Sequence, residues 1–318
     1  MKILDSVTNI QVNTIPKFPE FKKLEITDED SVRYFTSKYN AYSDFNFVSM
    51  WSWNTKEEME LSELNGNLVI KFNDYLTNKP FYSFIGNQYL EDTIDKLIKL
   101  SIEQKIDAKL KLVPFEVIQD FTSKKFNISE DPDNFDYILG NEKFIDYSGK
   151  ILRGHGSFKR RFLEMYGSGV ETKILSVDDP TIRDQILSMN ELWINNKLAE
   201  QKNIYPEIEF EALKRLFKLN KSESPFILVG IYYNGKMIGF TLDELLNHGM
   251  TIRHFMKADT SYKGVYSYLI SETASILLKM GMRFTNIEQD LGLSNLRQSK
   301  KTYDPVAFLK KCTISLNE

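Results

Sequence analysis

Apolar positions recur along this chain with two different periods, and the changes of period mark its elements. Alternation by two, bounded by turn residues, predicts strands at 58–64, 67–72 and 80–85. The first two join across Asn65-Gly66, whose residues accept the positive φ of a tight hairpin. Helical spacing follows at 90–104, where Leu90, Ile94, Leu97, Ile98 and Ile102 share one face. Upstream, a helix is predicted over 28–40, with Thr27 or Asp28 as cap and Glu29 and Asp30 in its first turn. A second, at 44–54, takes its apolar face from Phe45, Val48, Trp51 and Trp53. Short strands at 109–113 and 134–139 flank a third helix near 115–122.

The texture changes near residue 148. Gly149, Gly154 and Gly156 punctuate a basic stretch, and Ser157 is placed to cap a helix running to Tyr166. A strand at 170–176 and helices at 180–198 and 207–220 come next. Three antiparallel strands are then predicted at 225–233, 236–246 and 251–258, turning at Asn234-Gly235 and His248-Gly249. A glycine-containing loop leads into the helix YLISETASILLKMG, a strand near 284–289, a short helix and a last strand. No internal repeat is visible in the residues themselves.

Composition narrows the class. With 318 residues the chain has material for about two domains of roughly 150 residues. Its 22 Phe, 16 Tyr and 3 Trp require a large core, which excludes disorder as the main state. No apolar run approaches the ~20 residues of a membrane span, and residues 1–18 lack the apolar segment of a secretory leader. A lone Cys312 excludes a disulfide framework, and three scattered histidines give no zinc signature. A cytoplasmic protein with no bound metal and no tightly held cofactor is expected. Charge is uneven: residues 1–147 carry 17 Lys and Arg against 25 Asp and Glu, net −8, whereas 148–318 carry 24 against 19, net +5. A phosphate-bearing ligand would be steered toward the second half, unless the two solvated surfaces differ by chance.

The order helix, helix, three-strand meander, loop, helix, strand resembles the plan of the GNAT acyltransferases. There the loop after the third meander strand brings backbone N–H groups at a helix start to a pyrophosphate. On that resemblance Ser261, Lys263 and Gly264 are candidate ligand-binding residues. Tyr266 stands where the CoA-binding pattern has a small residue, which argues against CoA by that route. An ordinary strand–loop–helix connection is the other reading.

The tail NIEQDLGLSNLRQSKKTYDPVAFLKK (286–311), with DYILGNEKFIDYSGK (136–150), FKRRF (158–162) and YSDFNFVSMWSW (42–53), carries a closer resemblance. These segments resemble bacterial proteins of unknown function related to the catalytic C-terminal region of phosphatidylglycerol lysyltransferase. The resemblance implies two tandem GNAT-like α/β (α+β) domains with mostly antiparallel sheets, divided as 1–147 and 148–318. It also implies a relation to Fem-type aminoacyl-tRNA-dependent transferases and a site between or beneath the domains. Those relatives continue from the Lys-Arg pair with Asn-His, where this chain has Arg161-Phe162.

Acyl transfer from an activated ester needs a cleft that aligns the reactants, a donor for the developing oxyanion, and a path for one proton. Glu288 and Asp290 lie at the end of a predicted strand and share a face if the strand continues that far. Arg297 and Lys300, three apart on a short helix, share a face suited to a phosphate or carboxylate, and Tyr303 follows as a donor to a leaving oxygen. The other reading joins these four charges in a structural network. Lys159, Arg160 and Arg161 form the densest basic cluster, suited either to tRNA phosphates or to a solvated helix face. His254 reads as a satisfied core histidine, and His155 as a member of a flexible loop. The expected function is transfer of an aminoacyl group from charged tRNA to a small-molecule or peptide acceptor, with no DNA partner. Acyl-CoA N-acyl transfer is the alternative enzyme, and a non-catalytic ligand- or RNA-binding protein the alternative of another class.

Overall fold

The structure is a computed structural model and describes residues 14–200, 206–219 and 226–317. The stretch 1–13, which holds most of the segment read as lacking a leader, lies outside the described residues. Element order in the first half is β1 (Lys22–Lys23), α1 (Glu29–Thr36), α2 (Phe47–Trp53), β2 (Glu60–Leu64), β3 (Asn67–Asn73), β4 (Pro80–Ile85), α3 (Leu90–Glu103), β5 (Lys109–Pro114), α4 (Phe115–Ile118) and β6 (Phe126–Glu130). After β7 (Asp136–Gly140) and α5 (Arg153–Tyr166) the order returns. It runs β8 (Val170–Leu175), α6 (Pro180–Glu200), α7 (Pro206–Leu216), β9 (Phe226–Tyr233), β10 (Lys236–Leu245), β11 (Met250–Ala258), α8 (Val265–Lys279), β12 (Phe284–Asn286), α9 (Ser294–Lys301) and β13 (Ala307–Leu309), closed by β14 (Lys311–Leu316).

Two seven-stranded sheets result, and they match strand for strand. The first runs β1-β2-β3-β4-β5-β14-β6 and the second β8-β9-β10-β11-β12-β7-β13. Each is antiparallel except at its fourth and fifth strands, β4–β5 and β11–β12. A helix, α3 or α8, makes the crossover that a parallel pair demands. The chain is therefore a repeat in topology that its residues do not display, because many side-chain choices satisfy one alternating pattern.

The sixth place in each sheet is filled by a strand from the other half: β14 lies between β5 and β6, and β7 between β12 and β13. A single division at 147/148 leaves β7 on the first side and β14 on the second. The two exchanged strands are pinned together where they begin. Lys311, the first residue of β14, donates to Asp136, the first residue of β7, at 2.7 Å, and both are fully buried.

The predicted hairpin stands, with Asn65 and Gly66 at φ of 57° and 83°. Two predictions needed revision. Helix α5 begins at Arg153, four residues before Ser157, whose hydroxyl donates back to the Arg153 carbonyl rather than capping. Gly156 is tolerated inside the first turns because a Cβ there would press to 3.3 Å on the Tyr147 side chain. Helix α4 stops at Ile118, so the chain turns back early enough to form β6, a strand the pattern did not announce. Among the described residues no helix is long and apolar enough to cross a membrane.

The repeats meet through their helices. Trp51 of α2 donates from its indole to the Arg215 carbonyl at 2.9 Å, and Arg215 of α7 returns a bond to the Trp51 carbonyl at 2.9 Å, its guanidinium lying over the indole. Trp53 of α2 stacks on Phe255 of β11 with ring centres 6.1 Å apart. A continuous apolar core extends from β2–β5 through α2 to β9–β11.

Candidate active site

Strand β11 pairs with β12 only from Met250 to Ile252, so from Arg253 onward the two diverge and a wedge opens. Three features built by the local sequence converge on it. The first is a bulge. Leu242 faces Phe255 and Asp243 faces Arg253, so His254 is the extra residue. A bulge of this kind turns two successive side chains to one side: Phe255 meets Trp53 and His254 reaches Ser49 of α2. Arg253 turns the other way, its Nε donating to Asp243 at 2.9 Å.

The second feature is the turn after β12. Glu288 has φ of 60°, a left-handed conformation costly for a residue with a Cβ. It is held from several sides: its N–H donates to Asn286 Oδ1 at 2.7 Å, and its carbonyl accepts from Tyr137 N–H at 3.2 Å and Lys300 Nζ at 3.1 Å. Lys300 also donates to the carbonyls of Ile287 and Gln289, so the lysine ties the whole turn. Burial pushes the Lys300 ammonium down to about 8, more than the nearby Glu288, Asp136 and Asp290 carboxylates push it up.

The third is a chain of alternating charge. Arg33 of α1 donates to Glu244 at 2.8 Å, Asn46 donates to the same carboxylate at 2.8 Å, and His254 Nε2 lies 3.1 Å from it. On its other side His254 Nδ1 is 3.4 Å from Ser49 Oγ and 3.6 Å from Glu288 Oε1, and Ser49 Oγ donates to Glu288 at 3.5 Å. Burial alone would depress His254, but its bonds and charge contacts with Glu244 and Glu288 outweigh that and raise it to about 9. The imidazole is therefore a cation at neutral pH and fixes Glu288 rather than taking a proton from it. The Glu288 side chain keeps 20% of its surface exposed, while Glu244 and His254 are sealed. The arrangement presents one oriented carboxylate at the wedge, between the two repeats.

Beneath the turn lies a buried polar centre. Lys311 is bonded to Asp44, to Asp136 and, at 2.9 Å, to Gln289 Oε1. Asp136 also accepts from the Ser43 N–H and hydroxyl, each at 2.7 Å. The sequence reading missed these residues. Their signal was a charge at an otherwise apolar position, Asp136 ahead of YILG and Lys311 ahead of CTISL.

The sequence candidates separate in space. Glu288 and Asp290 share no face, because β12 ends at Asn286. Asp290 is fully buried and bonds Arg297, Tyr137 and the Gly292 N–H. Arg297 turns to Asp290 and Asp133, and Lys300 to carbonyls, so the two do not jointly face a ligand. Tyr303 packs between Phe144 and His155, and burial pushes its hydroxyl up. Ser261 and Lys263 are exposed on the loop before α8. Gly264 caps α8 with φ of 91°, and a Cβ there would lie 2.3 Å from the Phe158 carbonyl of α5. That glycine admits α5 close against the start of α8. The Tyr266 hydroxyl accepts from Ala258 N–H at 3.3 Å, at the end of β11. In the basic cluster Lys159 is spent on the Ile145 carbonyl and Ser271, leaving Arg160 and Arg161 exposed. Lys159 and Arg160, with Arg153 and Tyr147, line a surface cavity of about 390 Å³ that Arg161 does not border.

The family described as phosphatidylglycerol lysyltransferase, C-terminal, matches residues 36–314. No curated protein matches the chain. Among solved structures, a conserved protein of unknown function from Bacteroides thetaiotaomicron is similar over 93% of this chain and 99% of its own, with TM-score 0.77 and 24% identity. The structure of L-PGS from Bacillus licheniformis is similar over 91% of each chain, with TM-score 0.56 and 12% identity. FemX is similar over 94% of this chain and 97% of its own, with TM-score 0.56 and 7% identity.

Proposed function

This chain belongs to the family of phosphatidylglycerol lysyltransferase C-terminal regions, and on that footing we propose that it is an acyl-group transferase working at the wedge between β11 and β12. The donor is an aminoacyl-tRNA and the acceptor a small molecule or peptide. The observation that carries this reading is Glu288, a carboxylate at the wedge held in a left-handed turn and backed by a buried cationic histidine. Strain of this kind persists only where the surroundings over-determine it, and it gathers at working sites.

The step is attack of an acceptor amine or hydroxyl on the aminoacyl ester carbonyl. A new C–N or C–O bond forms, the ester C–O bond to the tRNA ribose breaks, and the attacking group loses one proton. Glu288 takes that proton and returns it to the departing ribose oxygen, so that the tRNA leaves with a free hydroxyl. His254, Glu244 and Arg33 are positioning residues: they hold the carboxylate through the relay and touch no reactant. Exposed Arg160 and Arg161 supply the phosphate contacts, at the half of the chain with net charge +5. An acyl-CoA donor is disfavoured by the Phe158 backbone over Gly264 and by the Tyr266 ring at the end of β11.

Purified protein incubated with pooled radiolabelled aminoacyl-tRNAs and fractionated cell extract tests the proposal. Label moving from tRNA to an extract component, and ceasing to move with Glu288→Gln, is the expected result. Retention of all label on tRNA across every amino acid would overturn it.

A further inference from the structure

Arg253 has no role in the relay just described, yet its setting is unusual. The residue is only 7% exposed, and its one ionic partner among the described residues is Asp243, bonded through Nε. Among the described residues, the two terminal guanidinium nitrogens, Nη1 and Nη2, donate to no protein group. Asp243 Oδ2 is buried without a hydrogen-bond partner among the described residues, whereas neither Nη is fully buried. Both nitrogens therefore reach the surface, although the side chain as a whole is only 5% exposed. Arg253 is also the first residue of β11 beyond its pairing with β12, which puts it where the wedge opens. Tyr147 and Tyr303 lie within range of its charge on the α8 side of the sheet.

We infer that Arg253 is the anchor of an oxyanion subsite, taking a carboxylate or a phosphate group of the molecule that enters the wedge. The bond from Nε to Asp243 fixes the plane of the guanidinium and leaves its end-on fork of two N–H groups for a planar or tetrahedral oxyanion, the bidentate geometry arginine favours. His254 and Arg253 are neighbours turned to opposite sides by the bulge, so one strand offers a proton-handling side and an anchoring side. The transferase reading enters only in naming whose oxyanion it is: that of the acceptor.

The test is a binding measurement, independent of turnover. Full-length protein carrying ¹⁵N-arginine is titrated separately with N-acetylglycine and with inorganic phosphate while the arginine side-chain resonances are followed. One resonance set, missing in Arg253→Lys, should shift saturably at millimolar concentration. Arg253→Lys should bind the same anion roughly tenfold more weakly in calorimetry, since a lysine loses the fork. Response to N-acetylglycine alone marks a carboxylate subsite, to phosphate alone a phosphate subsite, and to both a general oxyanion subsite. Response to neither overturns the inference. Should Arg253→Lys fail to fold, wild-type crystals soaked in each anion decide the matter, with density against Nη1 and Nη2 expected. Transfer activity in a protein that ignores both anions would sink the subsite and spare the transferase. Anion binding without transfer would do the reverse.

Discussion

Asp290→Asn is the substitution that best separates a scaffold from a reacting group. Both carboxylate oxygens of Asp290 are used twice. Oδ1 accepts from the Gly292 N–H at 2.9 Å and Arg297 Nη2 at 2.7 Å, and Oδ2 from Arg297 Nε at 2.9 Å and the Tyr137 hydroxyl. Asparagine keeps the volume but turns one oxygen into a donor that faces two donors. Losing charged hydrogen bonds costs about 1.5–3 kcal/mol, and a buried unsatisfied group about 1–3 kcal/mol more. Arg297 is 32% exposed, so water screens and partly replaces its share, and a net loss of about 3 kcal/mol is expected. At roughly 2–4 °C per kcal/mol for a chain of this order of size, the melting midpoint should fall by about 6–12 °C. The sign with pH is also fixed. Burial pushes the Asp290 carboxyl up, but Arg297, Tyr137 and the Gly292 N–H together hold it below its ordinary value. A group depressed on folding contributes above its unfolded value, about 3.9, and that contribution is lost as pH falls through the folded value. The gap between wild type and Asp290→Asn should therefore be full at neutral pH and close in acid. Thermal unfolding followed by circular dichroism across that range is the assay. An unchanged midpoint at neutral pH together with lost transfer would refute the reasoning and return Asp290 to the chemistry.

Glu288→Gln should leave the melting midpoint within a few degrees and abolish transfer, measured as label leaving aminoacyl-tRNA; substantial residual transfer would move the base elsewhere. Arg160→Ala with Arg161→Ala should flatten the salt dependence of tRNA binding by roughly two units in a log–log plot, at somewhat under one unit per phosphate contact. Adding Lys159→Ala should change it little further, because that ammonium is already bonded to Ile145 and Ser271. Acetyl-CoA should show no micromolar binding in calorimetry, and tight binding would displace tRNA as the donor.

Much of the scaffold was legible because it rests on local rules. The 90–104 helix and the Asn65-Gly66 and Asn234-Gly235 hairpins follow from spacing and turn chemistry that neighbours do not override. What the sequence hid depends on contacts between distant residues. Nothing in YILG or CTISL says that the two strands trade places. The bulge that aims His254 at Ser49 appears only once β10 and β11 are in register. His254 itself was read correctly as buried and satisfied, but its partners Glu244 and Glu288 come from elements too distant to predict. Asp290 and Arg297 were singled out for their charge, and the structure joins them as the network reading expected. Arg253 was passed over because only an inventory of its partners sets it apart.

The trade of strands also fixes the order in which the molecule can be finished on the ribosome. When Glu130 has emerged, β5 and β6 exist but the strand that belongs between them does not. They wait until Lys311–Leu316 arrive. The second sheet meets the opposite situation, since β7 is made long before β12 and β13 and waits for them. Pairings this remote in sequence form slowly and leave strand edges open meanwhile. A nascent chain would be most vulnerable in its first half, although that half is made first. A tag or a cut near Lys311 would damage the amino-terminal sheet more than the one beside it. Expressing residues 1–147 alone would leave β6 without the strand that joins it to β5.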